Sequence, residues 1–143
     1  MQGDVPQQPL DDVPDERSKG RDDRIQVEVK TRYVESESDP DKYRFVFAYT
    51  VTIRNVGTAA ARLLTRHWVI RDGNGRVQEV RGEGVVGEQP HLKPGEGFQY
   101  TSGTMLETSI GTMGGSYLMV TDDGIEFKAA IDEFLLSGPR TLH

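Results

Sequence analysis

Cysteine is absent from all 143 residues, which removes disulfide frameworks, thiolate nucleophiles and cysteine zinc sites together. A reducing compartment suits that absence. A basic excess is missing too: the formal charge is −6, whereas a chain that neutralises nucleic-acid phosphates carries clustered Lys and Arg. Nucleic acid is therefore not an expected partner. Long apolar runs are also lacking. The most apolar stretch, "FVFAYTVTI" from Phe45 to Ile53, is half the length of a membrane-crossing helix, and residues 1–23 hold no apolar segment of the signal-peptide kind. The expectation is a soluble, cytoplasmic protein with no membrane partner. Finally, no stretch repeats its apolar residues at helical spacing.

What is present divides the chain. Residues 1–23 carry seven acidic and three basic residues and three prolines, a balance of −4, which leaves −2 for residues 24–143. Such a segment buries too little surface to offset its ordering entropy, so 1–23 is expected to be a disordered acidic tail and 24–143 one folded domain. From Arg24 onward the pattern is alternation. Ile25, Val27 and Val29 share one face; Phe45, Phe47, Tyr49, Val51 and Ile53 share another. "RLLTRHWVIR" runs into "DGNG" at Asp72 to Gly75 and returns through "RVQEV", the pattern of a hairpin whose Asn and Gly tolerate positive φ. Pro94 and Gly95 make another turn, Phe98 and Tyr100 open another strand, and "DDG" at Asp122 to Gly124 separates the last two runs, in which Ile125, Phe127, Ala129 and Ile131 alternate. Seven or so short strands with turns between them predict an all-β fold, an antiparallel sandwich of the immunoglobulin or fibronectin type III kind, with Trp68 in its core.

"RGEGVVGEQP", Arg81 to Pro90, sets Gly82, Gly84 and Gly87 at the spacing of a dinucleotide fingerprint. That site needs a helix opening after the glycines, because the helix N-terminus supplies the amides and dipole that face a pyrophosphate. Pro90 and Pro94, then Gly95 and Gly97, forbid the helix. The ending of a phosphate-binding P-loop, Gly-Lys-Ser or Gly-Lys-Thr, is missing as well. Two readings remain: a tight connection between strands, or a nest of amides that holds an anion without a helix. Arg81 would add charge to such a nest, while Glu83 and Glu88 would oppose a phosphate. Val85 and Val86 must tuck under the sandwich end or dock a partner. The candidate binding loop is thus Arg81, Gly82, Gly84, Val85, Val86, Gly87 and Gln89.

Other chemistry is sparse. His67, His91 and His143 form no paired metal-ligand motif. His67 should face away from Trp68, as an ordinary surface histidine. Asp39, Asp41, Asp122 and Asp123 fall in turns, where aspartate caps backbone amides; weak magnesium binding is conceivable there, but the calcium-loop spacing is absent. Thr101 and Ser102 in "YTSG" lack a nucleophile elbow. No catalytic residue, resident cofactor or dedicated metal ligand is expected, so the chain reads as a non-enzyme. Exposed edge strands leave a homodimer open.

"RHWVIRDGNGRVQEVRGEGVVGEQPHLKPGEGFQYTSG" from Arg66 to Gly103, with "MGGSYLM" at Met113 to Met119, resembles the bacterial ApaG family, also called CorD. The resemblance runs from about residue 24 to 136 and leaves the acidic tail outside. It implies a fibronectin type III-like sandwich and a function not yet settled. Such proteins are linked to cobalt and magnesium resistance, and their gene often neighbours one for diadenosine tetraphosphate hydrolysis. Similar eukaryotic domains serve as protein-binding elements. Two departures stand out, Thr108-Ser109 where Thr-Pro is common and Ile131-Asp132 where Ile-Pro is common, both expected near strand ends. The leading expectation is a non-catalytic protein-binding module with a possible link to magnesium and cobalt homeostasis. The alternative is a small-ligand module that takes pyrophosphate or a nucleotide phosphate, with or without a divalent metal such as magnesium or cobalt, through the glycine loop.

Overall fold

The computed structural model describes residues 24–139; the expected tail at 1–23, and His143, lie outside them. Eight strands follow in order: β1 (Ile25–Tyr33), β2 (Phe45–Asn55), β3 (Ala61–Asp72), β4 (Val77–Glu83), β5 (His91–Leu92), β6 (Gly97–Leu106), β7 (Ile110–Thr121) and β8 (Glu126–Ser137). Two single-turn 3-10 segments, Glu35–Glu37 and Pro40–Lys42, lie between β1 and β2. No α-helix occurs among the described residues.

Alternation dictates the layers. β1, β2 and β6 form one antiparallel sheet in that order; β4, β3, β7 and β8 form a second, with β5 pairing onto the end of β3. Phe47, Tyr49, Val51 and Ile53 of β2 are buried and face Leu63, Trp68 and Ile70 of β3 and Met113, Tyr117 and Met119 of β7. Two inner faces packed in this way make the expected sandwich. One side is closed, because β1 and β8 pack on each other across the sheets, with the Arg24 guanidinium 4.1 Å from the centre of the Phe127 ring.

Two strands break the period of two. In β3, Leu63 pairs with Met119 but Thr65 pairs with Leu118, so Leu64 is an extra residue. In β8, Met113 faces Phe134 while Gly115 faces Ile131, so two residues stand opposite Gly114. A bulge moves every later side chain to the other face. Buried positions accordingly change from Ala61 and Leu63 to Trp68 and Ile70, and from Ala129 and Ile131 to Leu136.

Four local expectations need correction. Strands of nine to twelve residues predominate, longer than the turn spacing suggested. In "DGNG" only Gly75 has positive φ, 83°; Asn74 does not need it, because the Asp72 carboxylate accepts from the amides of Asn74 and Arg76. Ile125 is exposed, since it belongs to the turn and not to β8. Asp132 lies at the β8 bulge, well inside a strand, whereas Thr108-Ser109 does sit between β6 and β7. A bulge on an edge strand is a place where proline can stand, which suits the Ile-Pro that the resemblance implies at this point.

Candidate functional site

The β3 bulge places the site. Beyond Leu64 the inward residues are even-numbered, so Arg66 shares the phase of Trp68 and Ile70 and is half-buried. Its cross-strand neighbour on β4 is Gly82. A Cβ there would stand 2.7 Å from Arg66 Nη2, so Gly82 is the gap through which the guanidinium lies over β4. Arg66 Nη1 donates to the carbonyls of Glu83 and Gly84, each at 3.0 Å.

The bulge also anchors the glycine loop. The Leu64 carbonyl accepts from the Gly84 amide at 2.8 Å and from Gln89 Nε2 at 2.9 Å, and the Gln89 carbonyl accepts from Arg62 Nη1 at 2.7 Å. Between these anchors Val85 and Glu88 exchange two backbone bonds, 2.8 and 2.9 Å, around Val86 and Gly87 at φ 44° and 82°. Two successive left-handed residues in such a pair form a type I′ turn, whose first central position favours Asn. Valine there is an outlier, because its branched Cβ crowds the backbone. Gly84 has φ 64°, and a Cβ on it would meet the Glu88 carbonyl oxygen at 2.3 Å.

Val85 and Val86 therefore part company. Val85 is buried in the core, whereas Val86 is 55% exposed at the turn tip. Below the tip a cleft of about 350 Å³ opens between the sheets. Its walls are Tyr49 and Tyr100 from one sheet and Trp68 from the other; Arg66, Ser102 and Glu83 supply the polar groups, and Val85 to Gly87 form the roof. Tyr49 and Trp68 meet edge to face at 5.3 Å. The Tyr100 and Tyr117 hydroxyls bond to each other at 2.5 Å. Burial pushes the Tyr100 phenol up to about 12, against the lowering effect of its bond to Tyr117; burial first, then Tyr100, drive Tyr117 further up.

The candidate loop residues thus divide. Val85, Val86 and Gly87 border the cleft, Gly82 admits Arg66, and Gly84 and Gln89 anchor the turn. Arg81 lies on the outer face with Glu79, 3.2 Å away, beside His67, which donates to the same carboxylate at 2.7 Å. That His67 bond, the largest cause, holds the Glu79 carboxyl below its ordinary value. Amides of Gly84, Val85 and Glu88 are engaged within the chain. Ser102 faces the cleft, Thr101 bonds to Thr50 on the outer face at 2.8 Å, and His91 is held by Asp122 at 2.8 Å, so among the described residues Ser102 bonds to no histidine. Asp122 and Asp123 bond to the His91 and Thr121 side chains rather than to backbone amides. Among the described residues no three His, Cys, Asp or Glu side chains stand together as a metal site, and no helix is long and apolar enough to cross a membrane. Tyr49 and Arg66 were not legible as cleft residues; the signal was the shift of apolar phase between Leu63 and Trp68.

The sequence profile of the ApaG domain matches residues 35–121. The chain belongs to the ApaG domain family. A Protein ApaG of Azoarcus sp. (strain BH72) is 60% identical over 126 residues, spanning 88% of this chain and 99% of its own length. Another from Dechloromonas aromatica (strain RCB) is 57% identical over 120 residues, covering 84% of this chain and 94% of its own. A crystal structure of an ApaA protein from Bordetella pertussis superposes with a TM-score of 0.79 at 56% identity, covering 82% of this chain and 95% of that one. The profile match spans β2 to β7, and β1 and β8 lie outside it.

Proposed function

We propose that this ApaG-domain chain is a non-catalytic binding module that engages a protein through the Val86 tip and the aromatic cleft beneath it. The observation that carries the reading is Val86 itself. A β-branched residue held at φ 44° and 55% exposed is unfavourable twice over, in backbone conformation and in hydration. Strain of this kind concentrates at ligand clamps, where an apolar anchor above an aromatic pocket contributes more to binding than it costs the free fold.

Capture of pyrophosphate or a nucleotide phosphate by the loop has less support. Three of its amides have intrachain partners, and Glu83 and Glu88 flank the turn. A magnesium or cobalt role rests on the family resemblance alone and has no side-chain cluster behind it among the described residues.

The test is Val86→Asn. Asparagine suits the left-handed position, so urea unfolding should show a gain of about 1 kcal/mol. Proteins retained by the immobilised wild-type chain should be lost. Retention by Val86→Asn equal to wild type would remove the reading. Val85 is unsuitable for this experiment, because it is core.

A further inference from the structure

Arg66 is the one cleft residue whose charge the loop does not explain. On the outer surface several basic groups meet carboxylates, Arg81 and His67 on Glu79, Arg76 on Glu107 and His91 on Asp122, while Arg44 and Arg62 bond to backbone carbonyls from exposed positions. Arg66 instead faces inward, and its bonds are to two neutral carbonyls, both through Nη1. Among the described residues no carboxylate lies within ion-pair distance of it, and Nη2 and Nε bond to none of them. A guanidinium has five donors in a planar fork matched to a carboxylate. The position is built: a bulge turns the side chain in, and Gly82 leaves room for it.

Three features around it restrict the occupant. Tyr49, Trp68 and Tyr100 back the cleft next to the guanidinium, each with only an edge exposed, 6%, 2% and 7%. The cleft lies between β4 and β6, each of which pairs with one strand only, so an extended chain can add to an edge and send alternate side chains inward. Residues two apart on that chain repeat at roughly 7 Å, enough to place one side chain on the wall and the next on Arg66. Glu83 lines the same cleft, so a multiply charged phosphate meets repulsion where a single carboxylate is tolerated.

We infer that the cleft recognises an extended peptide in which the side-chain carboxylate of Asp or Glu reaches Arg66 and an apolar or aromatic side chain two positions away fills the Tyr49–Trp68–Tyr100 wall. This deepens the docking role proposed above and rests on it. Arg66 then has two jobs: Nη1 fixes the loop, and the remainder of the fork selects the partner.

The experiment uses the full chain and an array of synthetic peptides capped at both termini. Asp or Glu, its amide, or Lys stands two positions from Phe, Tyr, Trp or Leu, with flanking residues varied. Fluorescence anisotropy should show the acidic peptides binding at least about tenfold more tightly than the amide or Lys versions. That preference should vanish in Arg66→Gln. Because Arg66→Gln also loses the loop clamp, Ser102→Glu provides a second variant: it leaves Arg66 and its carbonyl bonds in place but adds a competing carboxylate, and it too should abolish the preference. Equal binding of acid and amide peptides overturns the inference, as does a preference that survives both variants. Displacement of the acidic peptide by inorganic phosphate at equal concentration would also overturn it, in favour of a general oxyanion site. If no peptide binds while protein retention still depends on Val86, this inference falls and the docking reading stands; if Val86 is dispensable as well, both fall.

Discussion

At the residue scale, the three glycines of the fingerprint spacing turn out to need glycine for three different reasons. Gly82 needs the absence of a side chain, Gly84 needs both a positive φ and a close backbone approach, and Gly87 needs only its φ. Gly84→Ala should therefore lower the urea midpoint by the equivalent of about 2–4 kcal/mol, and Gly87→Ala by about 1 kcal/mol, with m unchanged. Equal losses would show that the 2.3 Å approach at Gly84 relaxes freely. The tyrosine pair gives a pH signature. Burial favours the neutral phenols, so the folded Tyr100 titrates near about 12 against 10.0 for a free phenol. Its contribution is complete below pH 10 and is lost as the pH rises toward about 12, because the unfolded chain ionises first. Unfolding free energy should fall by roughly 1 kcal/mol or more per pH unit above about pH 10, and the double variant Tyr100→Phe, Tyr117→Phe should flatten that slope in denaturant titrations. The glycine spacing was legible in sequence, and Pro90 with Pro94 correctly excluded a helix. The fate of Val85 and Val86 was not, because adjacent valines give no sign of which one a turn will expose.

At the element scale, Asn55 ties strands of opposite sheets. It is 1% exposed at the end of β2. Its Nδ2 donates to the carbonyls of Ala59 and of Leu92 on β5, each at 2.9 Å, and its Oδ1 accepts from the Gly57 amide. Its own amide and carbonyl pair with Glu96 and Gly95 in the turn before β6. Every polar atom of this buried side chain is used, so Asn55→Ala strands three backbone groups at once. The expected cost is about 2–4 kcal/mol by urea unfolding, whereas Asn74→Ala in the exposed hairpin should stay within about 0.5 kcal/mol. Sequence reading followed the apolar run of β2 only as far as Ile53. It missed the bolt, since nothing local distinguishes a turn asparagine from one whose partner lies 37 positions away. Strand faces, by contrast, were readable wherever the period of two ran unbroken, as from Phe45 to Ile53. They were misread only at the residues past a bulge or in a turn, such as Ile125.

For the whole molecule, the two long sides of the sandwich differ. β1 and β8 close one; the other stays open between β4 and β6, under the Val86 roof. Amide exchange should follow that asymmetry, slowest in β2, β3 and β7, which have a strand on both sides, and fastest in β4 and the Val85–Glu88 turn. Uniform protection across all eight strands would contradict it. The sandwich class was legible because alternation and turns suffice to specify it; the position of the opening was not, because pairing between distant strands leaves no mark on either one alone. The bulge at Leu64 is where these scales meet. Removing that single residue would bring Ala61, Leu63, Arg66, Trp68 and Ile70 into one unbroken rhythm, and the core would lose nothing it now holds. What would disappear is the spare carbonyl that grips Gly84 and Gln89. A shortened chain of this kind would still fold as a sandwich but would have no shaped entrance, so an insertion or deletion at this one position can remake the cleft while leaving the architecture unmarked.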